Sequence, residues 1–195
     1  MTFFRLWLMG YTNPVKFIDQ LKTKPAPRWG FSAQLLRALL DSLLVYLPLA
    51  LLGRVPPTPS YISFIPTERY YAVLIGLTPL VLIAELLLAV SFLHLALRLM
   101  GRASSFDQIL NIGGMAALIV GTVLIPWDWA WVLIGGANQY FLGISHLVIS
   151  LWATLIMVLG LQRILGVPVW LGIVLSLLSI PVTLPLAILF MRSPL

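Results

Sequence analysis

One glutamate interrupts an otherwise apolar run. Glu85 stands between Leu80–Ala84 and Leu86–Val90. A carboxylate in hydrocarbon needs a compensating partner or a proton, so this residue is either structural glue or part of proton or solute handling. Arg37, a hydroxyl or a backbone group of a neighbouring helix are the candidate partners. Arg37 and Asp41 are spaced i and i+4, which places them on one helical face where they can neutralise each other or line half of a polar cavity. His94 and Arg98 repeat that spacing, Arg98 reaching toward headgroups as long basic side chains do. His146 follows Ser145 directly.

Templates for enzyme chemistry fail against these residues. The chain has no cysteine, which removes disulfides, thiolate nucleophiles and thiolate metal sites. There is no H-E-x-x-H, no Walker A loop and no G-x-S-x-G elbow. Adjacent residues on a helix point about 100° apart, so Ser145 and His146 do not form a nucleophile–base pair by proximity in sequence. An intramembrane protease of the CAAX type needs paired glutamates, and Glu85 stands alone in its segment. Two histidines without an acidic ligand motif make neither a metal site nor a cofactor site. The expectation is a protein that is not an enzyme and holds no cofactor.

The surrounding composition says where these groups must sit. Of 195 residues, 61% are hydrophobic and only 9% charged, with a mean hydropathy of +1.03. Soluble domains carry roughly 25% charged residues, so this chain cannot clothe a water-facing surface. Crossing about 30 Å of hydrocarbon takes around 20 apolar residues, as a helix that satisfies its own backbone. Five stretches qualify: 31–53, 70–99, 107–126, 141–163 and 169–191. The expected fold is all-α, a bundle of five transmembrane helices with a short interfacial helix before it. Residues 1–30 form a cytoplasmic segment and 31–195 the five-span domain, and no A-x-A-like cleavage site follows a short apolar core near the start.

Punctuation supports these boundaries. Pro56, Pro57, Pro59 and Pro66 end the first span in a stiff loop. The second, about 30 residues long, either kinks at Pro79 or projects its Arg98 end from the membrane. Ser105 and Gln108 have capping-box spacing, and Asp107 brings negative charge to the first turn of the third span, which ends near Pro126. Trp127, Trp129 and Trp131, with Trp29, Tyr70, Tyr71, Tyr140, Phe141 and Trp170, read as an interfacial aromatic belt. Gly113, Ala117 and Gly121 form a small-residue ridge for close helix packing inside the bundle.

Charge sets orientation. Arg5, Lys16, Lys22, Lys24, Arg28, Arg98, Arg102 and Arg163 fall on one side; Arg54, Arg69 and Arg192 fall on the other. The basic excess predicts a cytoplasmic N-terminus and an outside C-terminus. The net charge of +6 is therefore a topology and anionic-lipid signal rather than a nucleic-acid one. Over 14–24, Val15, Phe17, Ile18 and Leu21 oppose Lys16, Asp19, Gln20, Lys22 and Lys24, predicting a short helix flat on the cytoplasmic leaflet.

Asn13-Pro14-Val15-Lys16-Phe17-Ile18, then Lys24-Pro25 and Trp29-Gly30, precede the five spans. The loop Gly101-Arg102-Ala103-Ser104-Ser105-Phe106-Asp107-Gln108 enters the third, and the fourth carries Trp152 and Gly160-Leu161. In this order and spacing the chain resembles the Yip1-domain family of five-span membrane proteins over essentially its whole length. The resemblance implies a non-catalytic scaffold or adaptor. Its partners would be the bilayer and other membrane proteins, among them an ABC-type exporter or a second copy of the chain. Eukaryotic members contact small GTPases and usually carry a longer cytosolic N-terminal region. The departure here argues against GTPase binding and for a prokaryotic inner-membrane member. A small transporter or channel using Glu85 and Arg37/Asp41 is the alternative.

Overall fold

A computed structural model describes residues 2–24, 26–56, 61–62, 64–134 and 139–190, for Gln139 the backbone alone. Pro25, Pro57, Pro59, Arg192 and the last residue of the fifth expected span lie outside the described residues. Within them every regular element is helical and there is no strand. Seven helices follow in order: α1 (Phe3–Thr12), α2 (Pro14–Lys22), α3 (Arg28–Leu51), α4 (Tyr70–Leu99), α5 (Phe106–Ile134), α6 (Gln139–Leu165) and α7 (Val169–Phe190). The last five are long and apolar enough to cross a membrane.

α5 is the axis of the bundle. Along its apolar stretch 72% of residues are buried, against 11% for α7. It packs on α3, α4, α6 and the two N-terminal helices, while α7 docks on α4 and α6. The third span does not end near Pro126: α5 continues through it to Ile134. Proline removes one backbone donor, yet membrane helices tolerate this where neighbours hold the freed groups. Here the indoles of Trp127 and Trp129 beyond the proline bond to α6 and α3, and these contacts hold the extension helical. Trp127, Trp129 and Trp131 are thus helical residues. Tyr70 and Tyr71 are buried in the core, and Tyr70 donates to the Phe190 carbonyl at 2.9 Å.

α4 is continuous across Pro79. Its thirty residues rise about 44 Å, more than a hydrocarbon core requires. Gly101, at φ 71°, turns the chain out of α4 in the left-handed region, and the N–H of Arg102 closes back on Leu97 O at 2.9 Å. The Ser105 hydroxyl then accepts from the Gln108 N–H at 3.4 Å, with Asp107 in the first turn of α5.

The first helix, α1, has no counterpart in the sequence reading; it joins α2 as a hairpin. Asn13 makes the turn: its side chain accepts from the Lys16 N–H at 3.0 Å and Pro14 opens α2, the placement proline prefers. The helix expected over 14–24 is present as α2, with its apolar face turned to protein. Phe17, Ile18 and Leu21 are buried with Leu6 of α1, Ala33, Ile112, Met115, Ile119 and Ile156. The hairpin follows the bundle axis. Lys22 and Asp19 meet Arg163 at the end of α6, whereas the Gly10 carbonyl accepts from the Trp152 indole. Those two levels are eleven residues apart on α6, about 16 Å of helix.

Candidate functional site

The depth of α3 against α5 is set by two glycines and an amide. A Cβ on Gly30 would stand 2.0 Å from the Leu110 carbonyl oxygen, and one on Gly114 would stand 2.0 Å from the Gly30 oxygen. Beside them Asn111, itself buried, accepts the Gly30 N–H at 2.7 Å and donates to the carbonyls of Lys24 and Ala26 at 2.9 and 2.8 Å. This triple bond of side chain to backbone anchors the start of α3. One turn on, the Gln34 amide donates to Leu82 O at 2.5 Å and ties α3 to α4.

That register delivers Arg37 and Asp41 into the bundle. Arg37 lies over Gly121, where a Cβ would stand 2.7 Å from its Nε. Its Nε is 3.5 Å from Asp41 Oδ2, so the i, i+4 pair forms. Arg37 is also the cation whose charge acts on Glu85 across the α3–α4 contact. Glu85 Oε1 is buried with no hydrogen-bond partner among the described residues. The acid expected to seek Arg37 therefore feels its charge without a direct bond.

Immediately after Asp41 the helix widens. Ser42–Tyr46 is a π-type turn, with the Leu47 N–H reaching back five residues to Ser42 O. The cause is Pro48, which has no N–H for the Leu44 carbonyl; Trp129 Nε1 donates to that carbonyl at 2.6 Å instead. Such turns occur frequently at functional sites.

The sequence reading passed over Asp128. It lies next to the Trp129 indole, is 9% exposed and bonds His146 Nε2 of α6 at 2.6 Å from Oδ1. Its charge reaches Asp41 and Tyr46. The signal was the aromatic run from Trp127 to Ile134, apolar enough to continue a helix that was expected to end at Pro126. The neighbouring pair, Trp127 Nε1 to Ser145 Oγ at 2.9 Å, joins the same two helices. Ser145 and His146 thus engage different partners.

Glu85, Arg37, Asp41, Asp128 and His146 come from four helices and form a belt of ionisable groups in the bundle. His94 stands apart from it. Its Nδ1 is 2.9 Å from Ser104 Oγ and its ring meets Phe106 edge-on at 6.0 Å, so it fastens the loop before α5 rather than pairing with Arg98. Gly113 faces Leu86 and Met157 side chains. The tightest backbone approach is one residue along, at Gly114. Among the described residues no three of His, Asp and Glu gather as a metal site would require.

At the basic end, Arg163 grips Asp19 with two parallel bonds of 2.8 and 2.9 Å. The hydrogen bond and charge of that guanidinium hold the Asp19 carboxyl below the ordinary aspartate value. No protein-family model, no curated protein and no solved structure matches this chain.

Proposed function

We propose that the protein is a non-catalytic scaffold of the Yip1 type in a prokaryotic inner membrane, with its N-terminus cytoplasmic and its C-terminus outside. It organises or assists other membrane proteins, an ABC-type exporter among the candidates. One observation carries this reading: four of the five ionisable groups of the belt pair with one another. Arg37 takes Asp41, and Asp128 takes His146. Arg37 and Asp41 neutralise each other along α3, and the Asp128–His146 pair ties α5 to α6. Site-specific photocrosslinking in native membranes from the exposed face of α7 tests it. Reproducible capture of a defined membrane protein supports the scaffold, and crosslinks to lipid alone defeat it.

Glu85 favours a second reading, a small transporter, because its Oε1 is buried without a hydrogen bond among the described residues and the charge of Arg37 acts on it. In liposomes loaded with a pH-sensitive dye, the scaffold reading expects no proton flux from wild type or from Glu85→Gln. A flux in wild type that disappears in the variant would replace the scaffold reading with the transporter.

A further inference from the structure

Two grooves meet at Tyr11. The deeper one, about 640 Å³, lies between α5 and α6 beneath the hairpin turn and is walled by Ile119, Val123, Leu151, Trp152 and Leu155. The shallower one, about 470 Å³, follows the outer face of α1 through Arg5, Leu8, Met9 and Thr12 to Tyr11. Their polarity is ordered along the bundle axis. Arg5 is six residues from Tyr11, about 9 Å of helix toward the basic end where Phe3 stacks on Trp29 and Lys24 sits over the same indole. Arg5 is exposed, is the single charge on α1 and makes no ion pair among the described residues. The nearest acid in sequence, Asp19, is held by Arg163. Below Arg5 the lining is apolar but for the hydroxyls of Thr12 and Tyr11, and the Tyr11 hydroxyl is engaged with Thr122 and the Trp7 indole.

We infer that these two grooves, adjoining at Tyr11, form a binding site for one anionic phospholipid of the leaflet facing the N-terminus. The phosphate sits against the Arg5 guanidinium, the ester region passes Thr12, and an acyl chain enters the groove between α5 and α6. The direction of the cleft carries the assignment: cation outward and apolar channel inward is the order of parts in a lipid. A free phosphate would use Arg5 alone and leave the groove without a role. An extended peptide segment would bring unpaired backbone groups into the apolar channel, which hydrocarbon does not tolerate.

Native mass spectrometry of the full chain in detergent, titrated with phosphatidylglycerol or phosphatidylcholine, tests the inference. One interfacial cation corresponds to about a fivefold preference for the anionic lipid. Wild type is expected to saturate at one lipid per chain with that preference. Arg5→Gln should bind both lipids equally. Leu151→Trp fills the apolar channel from a position 55% exposed, and should lose both; Val148→Trp, at 60% exposed, is the second blocking variant if the first unfolds. Non-saturable binding, a phosphatidylglycerol preference that survives Arg5→Gln, or retention in a folded blocking variant each overturns the site. A stable dimer broken by Leu151→Trp would assign the groove to a second copy and overturn it as well.

Discussion

Arg37 is the single cation among the belt residues that remains charged at every accessible pH. Removing it leaves Asp41 without its ion pair and Glu85 without its nearest cation. Breaking a buried pair by deleting one partner costs about 3–5 kcal/mol, so Arg37→Leu should lower the detergent melting temperature far more than Glu85→Gln. Equal melting temperatures would mean that the belt holds nothing together. Asp19 behaves oppositely because it is exposed. Its carboxyl in the folded chain lies below its ordinary value of 3.8, so the contribution of its pair with Arg163 is complete at neutral pH. That contribution is lost as the pH falls through the range below 3.8. The difference in melting temperature between wild type and Asp19→Asn should therefore be present at pH 7, shrink with added salt, and close in acid. A difference that persists in acid would reject the ion pair as its source.

Among the elements, α3 meets α5 backbone to backbone at Gly30 and Gly114. Gly30→Ala or Gly114→Ala puts a methyl group onto a backbone carbonyl, where overpacking costs about 1–3 kcal/mol or more. Gly76 and Gly143 have open space around a new Cβ, so alanine there should leave the melting temperature unchanged or raise it. If all four variants melt alike, the close approach is wrong. Leucine at Gly121 should displace Arg37, and at Gly113 it should push Leu86 and Met157 apart. The four-residue spacing of Gly113, Ala117 and Gly121 reads as a ridge for close helix approach, yet Gly113 and Gly121 meet side chains of different helices. The role of Gly114 was not legible, because a glycine that meets a backbone is indistinguishable in sequence from one that meets a side chain. The extent of α5 was misread for a related reason: Pro126 is a stop signal only until indoles on the far side find acceptors on neighbouring helices.

At the scale of the whole molecule, orientation is the testable quantity. The absence of native cysteine makes single-cysteine labelling clean. A cysteine at Lys22 should react with an impermeant maleimide only after the cells are opened, and one at Arg54 should react in intact cells. The reverse pattern would invert the topology and place the Arg5 cleft in the other leaflet. α7 adds little to the core, its apolar stretch being 11% buried. Truncation or crosslinking at that helix should disturb partner contacts before it disturbs the fold.

Helical class, five spans and the Ser105 cap were determined by the sequence alone. Each rests on local physics: hydrocarbon demands that a backbone satisfy itself, and a hydroxyl reaches three residues ahead. The i, i+4 pairing of Arg37 with Asp41 was legible for the same reason. The belt was not. Whether Glu85 meets Arg37, or Asp128 meets His146, depends on the rotation and depth of separate helices. Those are set by contacts such as Gly30 with Gly114, far apart in the chain. Hydropathy also could not tell whether the apolar face of α2 would meet lipid or protein, since both satisfy Phe17, Ile18 and Leu21 equally. Only the packed bundle, by placing Ile112, Met115 and Ile156 opposite them, turned that face inward and stood the hairpin along the axis.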